Sequence, residues 1–226
     1  MSSIYNKVCD TIGIGKLSDI VYTQNKFNLD ELYSDYPQYR NIIGSAGREK
    51  RLTTNIFSQL DVFTQNPIDS NSICVLGLIE NKRIYRYVPT KYIDTHININ
   101  CYKVVLPKSN GTGSFGEELS SPLVSEPKNG YTQSFIGIGA FPTKLEAEFA
   151  LKYIKTKFAR TMLGMLKVTQ DNNKDVWNFV PLQIFTPQSD IDWTKSVAEI
   201  DAQLYAKYGL TKDETNFIES MVKPME

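Results

Sequence analysis

The sequence predicts an α+β fold: a mixed β-sheet, a long central helix and two helices near the C-terminal end. Three observations carry that expectation. Apolar, β-branched and aromatic runs recur between Ile73 and Ile138, separated by turn residues. A helical apolar stripe then runs from Ala147 to Leu166, behind the start signal Thr143-Lys144-Leu145-Glu146. Two shorter helical patterns follow, and strands succeeded by helices is the α+β order rather than the alternating one.

The elements are read in order. Ser2 to Asp10 suits a short helix, with Ile4 and Val8 one turn apart and Gly13 and Gly15 beyond its end. Residues 23–72 are polar and show no clean period, apart from one or two helical turns at Asn28–Tyr33. Ile73–Glu80 and Arg83–Pro89 read as a hairpin, with Asn81-Lys82 as its two-residue turn. Ile97–Leu106 reads as a strand ended by Pro107, and Asn110–Glu118 as a Gly-rich loop. Pro122–Glu126 and Thr132–Ile138 are two further short strands.

The central helix begins at the capping pair Thr143 and Glu146. Ala147, Ala150, Leu151, Ile154, Phe158, Met162, Met165 and Leu166 share one face; Leu145, Phe149, Tyr153 and Leu163 lie opposite. A helix apolar on two faces is either sandwiched between layers or broken in two, the place for a break being Lys155-Thr156. The second face is also a candidate docking surface for another domain. Val176–Phe185 reads as an aromatic strand interrupted at Pro181. Ser196–Tyr208 is a helix ended by Gly209, and Thr211 with Glu214 caps a last one that runs towards Pro224.

The 226 residues suit one large domain or two small ones. The expected division is an N-terminal segment, 1–72, belonging to the same module as residues 73–226. Charge cancels at 25 basic against 25 acidic residues, so only its distribution is informative. Between Lys82 and Lys108 the cations Lys82, Arg83, Arg86, Lys91, Lys103 and Lys108 face Asp94 alone, and the central helix is likewise basic. A basic middle before an acidic tail fits a polyanion-binding face. Three widely spaced cysteines without a CxxC pair, and one histidine, argue against a disulfide framework and a multi-His metal site. The start of the chain lacks a signal-peptide pattern, and no apolar run approaches the roughly 20 residues of a membrane span, so a soluble, cytoplasmic protein with no membrane partner is expected.

Few motifs carry chemistry. Gly111, Gly113 and Gly116 follow Lys103 and Lys108 in a loop whose backbone N–H groups suit phosphate oxygens. Tyr85, Tyr87, Tyr92 and Tyr102 interleave with Arg83, Arg86, Lys91 and Lys103, a mixture that stacks on bases and neutralises phosphate. The alternative is an enzyme: Asp69 with Glu80-Asn81-Lys82 loosely matches the carboxylate pair and lysine of a Mg²⁺-dependent restriction endonuclease. The pattern is short and permissive, and Glu80 and Lys82 read better as hairpin-turn residues.

The segments YKVVLPKSNGTGSFGE, KYIKTKFARTMLGMLKVTQD and VWNFVPLQIFT succeed one another in a characteristic order, followed by IDWTKSVAEIDAQLYAKYGLTKDETNF. From about Ile73 to Met225 the chain resembles the C-terminal target-recognition region of type II adenine-specific DNA methylases, including the fused, type IIG-like restriction–modification enzymes. The resemblance implies a module that reads a double-stranded DNA site. It also implies a methylase catalytic domain as partner, in cis or in trans. S-adenosylmethionine would belong to that domain, and no cofactor, metal or catalytic residue is expected on this chain. Asn66-Pro67-Ile68-Asp69 lacks the second proline and the aromatic residue of the family's catalytic N-P-P-[YF] loop. On this resemblance and the charge pattern together, the expected DNA contacts are Arg83, Arg86, Lys91, Lys103, Lys108, Ser109, Asn110, Gly111, Thr112, Gly113, Lys155, Lys157, Arg160 and Gln170.

Overall fold

The computed structural model describes residues 2–11, 15–44, 48–109, 111, 113–167 and 169–225. Its helices are α1 (Ser2–Thr11), α2 (Leu29–Asp35), α3 (Arg40–Ile43), α4 (Ile56–Gln59), α5 (Lys144–Lys155), α6 (Lys157–Leu166), α7 (Val197–Lys207) and α8 (Lys212–Met221). Its strands are β1 (Val21–Tyr22), β2 (Ser72–Ile79), β3 (Lys82–Pro89), β4 (Tyr102–Pro107), β5 (Leu123–Ser125), β6 (Asn129–Tyr131) and β7 (Phe135–Phe141). They form a four-stranded antiparallel sheet in the order β1-β7-β4-β5 and a three-stranded mixed sheet in the order β3-β2-β6. The fold is α+β.

Each sheet has its own core. Val104, Leu106, Ile136 and Ile138 of the larger sheet pack with α5, α6, α7 and the N-terminal Ile4, Val8, Leu17 and Val21. The smaller sheet packs Ile73, Val75 and Val88 against Phe27, Leu32, Tyr39, Leu52, Ile56 and Leu60. Leu76, Val105, Tyr131 and Phe135 form a third cluster, drawn from both sheets. Residues 1–72 are therefore divided between two cores, and the apolar packing ignores the 72/73 boundary drawn from the sequence.

The segment after β1 ties the halves together. Asn25 exchanges backbone bonds with Tyr131 and Leu52, and Phe27 donates to the Lys50 carbonyl at 2.6 Å. Lys26 pairs in antiparallel bridge with Arg51, and Phe27 with Ile93. The polar stretch that lacked a period thus supplies a short strand-like crossover, whose partners are too distant in sequence to leave a local signature.

The β2–β3 hairpin is present, but its turn is Glu80-Asn81, because Ile79 pairs with Lys82. Both turn residues have positive φ, 50° and 61°, as a type I′ turn requires. The expected strand at 97–106 is confined to β4, and 176–185 is no strand: Lys174–Phe179 form a 3-10 turn capped by the Asn173 side chain. The central helix is both broken and covered. Thr156 ends α5 and caps α6, its Oγ1 accepting from the Ala159 N–H at 3.0 Å. Phe149, Tyr153 and Leu163 of the expected docking face are buried, Tyr153 against Phe185 and Trp193 of the same chain. Leu145 alone of that face stays exposed.

Candidate nucleic-acid interface

Two of the expected DNA contacts point inward. Lys103 is fully buried, and its Nζ donates to the carbonyls of Asn98, Cys101 and Glu126 at 2.9, 2.9 and 3.0 Å. Burial pulls its ammonium down to about 8. Opposite Lys103, β7 carries an extra residue, Gly139 and Ala140 facing the one lysine, and Gly139 has φ 84°. Arg160 is 1% exposed, with Nε on the Lys155 carbonyl and its two terminal nitrogens on the Gly116 and Lys223 carbonyls. It clamps the Gly-rich loop and the C-terminal tail to α6. Both side chains are buried, and their nitrogens are held on backbone carbonyls rather than offered to solvent.

Others are engaged at the surface. Lys91 pairs with Asp35, and Lys157 with Glu219. Arg83 donates to the Ser120 carbonyl at 3.1 Å and lies over the Phe135 ring, while Arg86 reaches the Tyr85 carbonyl at 2.9 Å. Lys155 is half-buried at the end of α5. Asn110 and Thr112 lie outside the described residues.

Lys108, Ser109, Gly111, Gly113 and Gln170 do come together. Ser109 bridges Asp171, Asn172 donates its N–H to the Lys108 carbonyl at 2.6 Å, and Gly113 lies against the backbone of Thr169 and Gln170. A Cβ on Gly113 would stand 2.7 Å from the Thr169 carbonyl carbon, so glycine is what lets the loop approach. Glu117 accepts from the Gly113 N–H and pairs with the buried Lys167, which pins the loop's far side.

Lys108 opens onto a groove of about 390 Å³ lined by Thr23, Gln24, Lys26, Glu49, Lys50, Arg51 and Lys108. The crossover and its bridge partner build it: Lys26 and Arg51 are paired residues, so their side chains leave the ladder together. All four cations are exposed, and none has an ion-pair partner among the described residues. Against them stands Glu49, with one carboxylate oxygen buried and lacking any hydrogen-bond partner. The field extends inward: burial chiefly, with Lys103 and Lys26 adding to it, holds the His96 imidazole below its usual range. Four cations against one carboxylate give the depression a net positive field.

Of the groove's residues, only Lys108 was expected from the sequence. The signal for the others was Arg48-Glu49-Lys50-Arg51, three cations in four residues within the polar stretch. Lys26 had no signal, since only the bridge to Arg51 brings it there.

The endonuclease constellation is not assembled. Asp69 caps the turn before β2, accepting from Asn71 and Ser72, while Glu80 sits in the turn after it. The eight residues of β2 hold the two carboxylates roughly 23 Å apart at 3.3 Å per residue, far beyond a shared Mg²⁺. Among the described residues no cluster of three potential metal ligands exists, and no helix is long and apolar enough to cross a membrane. No protein-family profile matches the chain, and no curated protein gives a significant match.

Proposed function

We propose that this chain is a module that binds double-stranded DNA and selects its site, the recognition part of a restriction–modification methylase whose catalytic domain is supplied in cis or in trans. The observation that carries the reading is the groove of Lys26, Lys50, Arg51 and Lys108, exposed and not ion-paired among the described residues. Beside it lies the Gly-rich loop with Ser109, Gly111 and Gly113, against Gln170 of the segment where the resemblance to methylase recognition regions is most specific. Phosphates would be neutralised in the groove, which sets register and affinity, and loop side chains would meet base edges.

The test is a fluorescence-anisotropy titration with a duplex pool at several salt concentrations. Four phosphate contacts give a log–log salt slope of about −3.6, so affinity falls roughly 150-fold between 50 and 200 mM salt. Lys50→Ala with Arg51→Ala should flatten that slope by about 2. A wild-type slope near zero refutes the groove's role. Selection from a randomised duplex pool then tests site choice, and failure to enrich any sequence refutes recognition.

A further inference from the structure

A second depression of about 380 Å³ adjoins the first, lined by Phe27, Asn28, Leu29, Asp30, Tyr33, Arg40, Lys50 and Asp94. Lys50 lines both, and Lys26 and Phe27 are consecutive residues on the wall between them. The Tyr33 hydroxyl is raised by burial, with Arg40 lowering it and Glu49 raising it, which places residues of both depressions within one another's fields. Each volume falls within the roughly 300–1,000 Å³ of ordinary ligand sites.

The two linings differ in chemistry. The first is cationic. The second offers a planar stack, the Arg40 guanidinium 4.5 Å from the Tyr33 ring centroid, beside two carboxylates. Asp30 has no ion-pair partner among the described residues. Asp94 uses one oxygen to accept from the Thr95 N–H at 2.9 Å and has no ion-pair partner among the described residues. A flat stacking surface with carboxylate acceptors suits a nucleobase that donates from an exocyclic amino group. A thymine or uracil offers the same carboxylates only its N3–H, flanked by two carbonyl oxygens that they repel, and binds less well.

We propose that the two depressions joined at Lys50 form a site for one nucleotide unit with an amino-bearing base. Its phosphate lies among Lys26, Lys50 and Arg51, and its base lies on the Tyr33–Arg40 stack facing Asp30 and Asp94. The proposal deepens the DNA reading and rests on it for the groove's role towards phosphate. The nucleotide has two sources: a free nucleoside monophosphate, or a nucleotide unstacked from a strand.

Calorimetric titration of the full chain with 5′-CMP, 5′-UMP and inorganic phosphate covers the first source. Anisotropy with duplexes bearing one bulged cytosine or one bulged thymine covers the second. The expected result is at least a tenfold preference for cytosine over the oxo base in one arm or the other, and the arm that shows it identifies the source. Asp30→Asn with Asp94→Asn should reduce the preference to about onefold while leaving the salt slope for plain duplex unchanged. Lys50→Ala should weaken every ligand. Equal binding of the two bases in both arms overturns the proposal, and so does a preference that survives the double Asn variant. A flat salt slope beside a cytosine preference would instead sink the duplex reading and leave this site standing.

Discussion

Replacing Lys103 by methionine separates the cost of burying an ammonium from the bonds that hold it. The lysine is fully buried, and its Nζ serves three backbone carbonyls. Its folded-state value is pulled from 10.5 to about 8. Between those two pH values the unfolded chain carries the proton more often than the folded one, so unfolding takes up protons and stability rises with pH. Integrating from pH 7 to pH 10, this one group adds about 2–3 kcal/mol of stability to the wild type. Methionine cannot titrate, so the wild-type advantage over Lys103→Met should widen by that amount across the range. The raised tyrosines lose stability as they ionise at the upper end, but they are common to both proteins and cancel in the difference. At neutral pH the variant takes the donor from three carbonyls, one in a buried bond and two in part-buried ones, at about 1–3 kcal/mol each, and removes a charge whose burial costs about 3 kcal/mol. The two effects oppose, and the net is a loss of roughly 3 kcal/mol. Urea unfolding of both proteins at pH 7, 8, 9 and 10 measures the difference. A gap that stays constant within about 0.5 kcal/mol would refute the caged-ammonium argument, because an exposed lysine produces no slope there.

Two further outcomes follow from the same geometry. Asp201 accepts from the Lys157 and Phe158 N–H groups at 2.9 and 2.8 Å at the start of α6, and burial pushes its carboxyl up to about 6. The folded state therefore holds this proton more tightly than the unfolded state, so its contribution is full below about pH 4 and is lost as pH rises through 6. Asp201→Asn should remove up to about 3 kcal/mol of that slope, read from melting temperatures between pH 4 and 7. Glu80 occupies a turn position with φ 50°, which asparagine adopts more readily. Glu80→Asn should therefore stabilise the hairpin by about 0.5 kcal/mol in chemical denaturation, and a destabilised variant would contradict the type I′ assignment.

What the sequence revealed depended on the range of the interactions involved. Helix signals act within four residues, and the caps at Thr143, Ser196 and Thr211 sit where their patterns put them. The hairpin was legible for the same reason, except that Asn81 drew the turn one residue too far along. A type I′ turn needs positive φ at both central positions, and here Glu80 is held there by the pairing of Ile79 with Lys82. The aromatic run at 176–185 alternates like a strand but pairs through a single antiparallel bridge, Pro181 with Lys16. Val176, Trp177 and Val180 pack against the large core from a 3-10 turn instead. Burial satisfied the apolar side chains without a sheet, and periodicity cannot distinguish the two.

The groove was illegible for a deeper reason. A lysine's neighbours in sequence do not tell whether its ammonium faces solvent or backbone. Lys103 and Lys108 are five residues apart on the same basic stretch, yet one is caged by three carbonyls and the other opens onto the groove. Strand alternation makes that difference: Lys103 shares the face of Val105, which packs with Leu76, Tyr131 and Phe135, whereas Lys108 lies beyond the end of β4. Likewise Lys26 and Arg51 become one cationic surface only through a bridge across 25 residues. Charge density along a sequence therefore marks which segments can build a polyanion face. Which of their cations belong to it is decided by strand pairing, and the paired segments here, 25–27 and 50–52, are those with the least local pattern of their own.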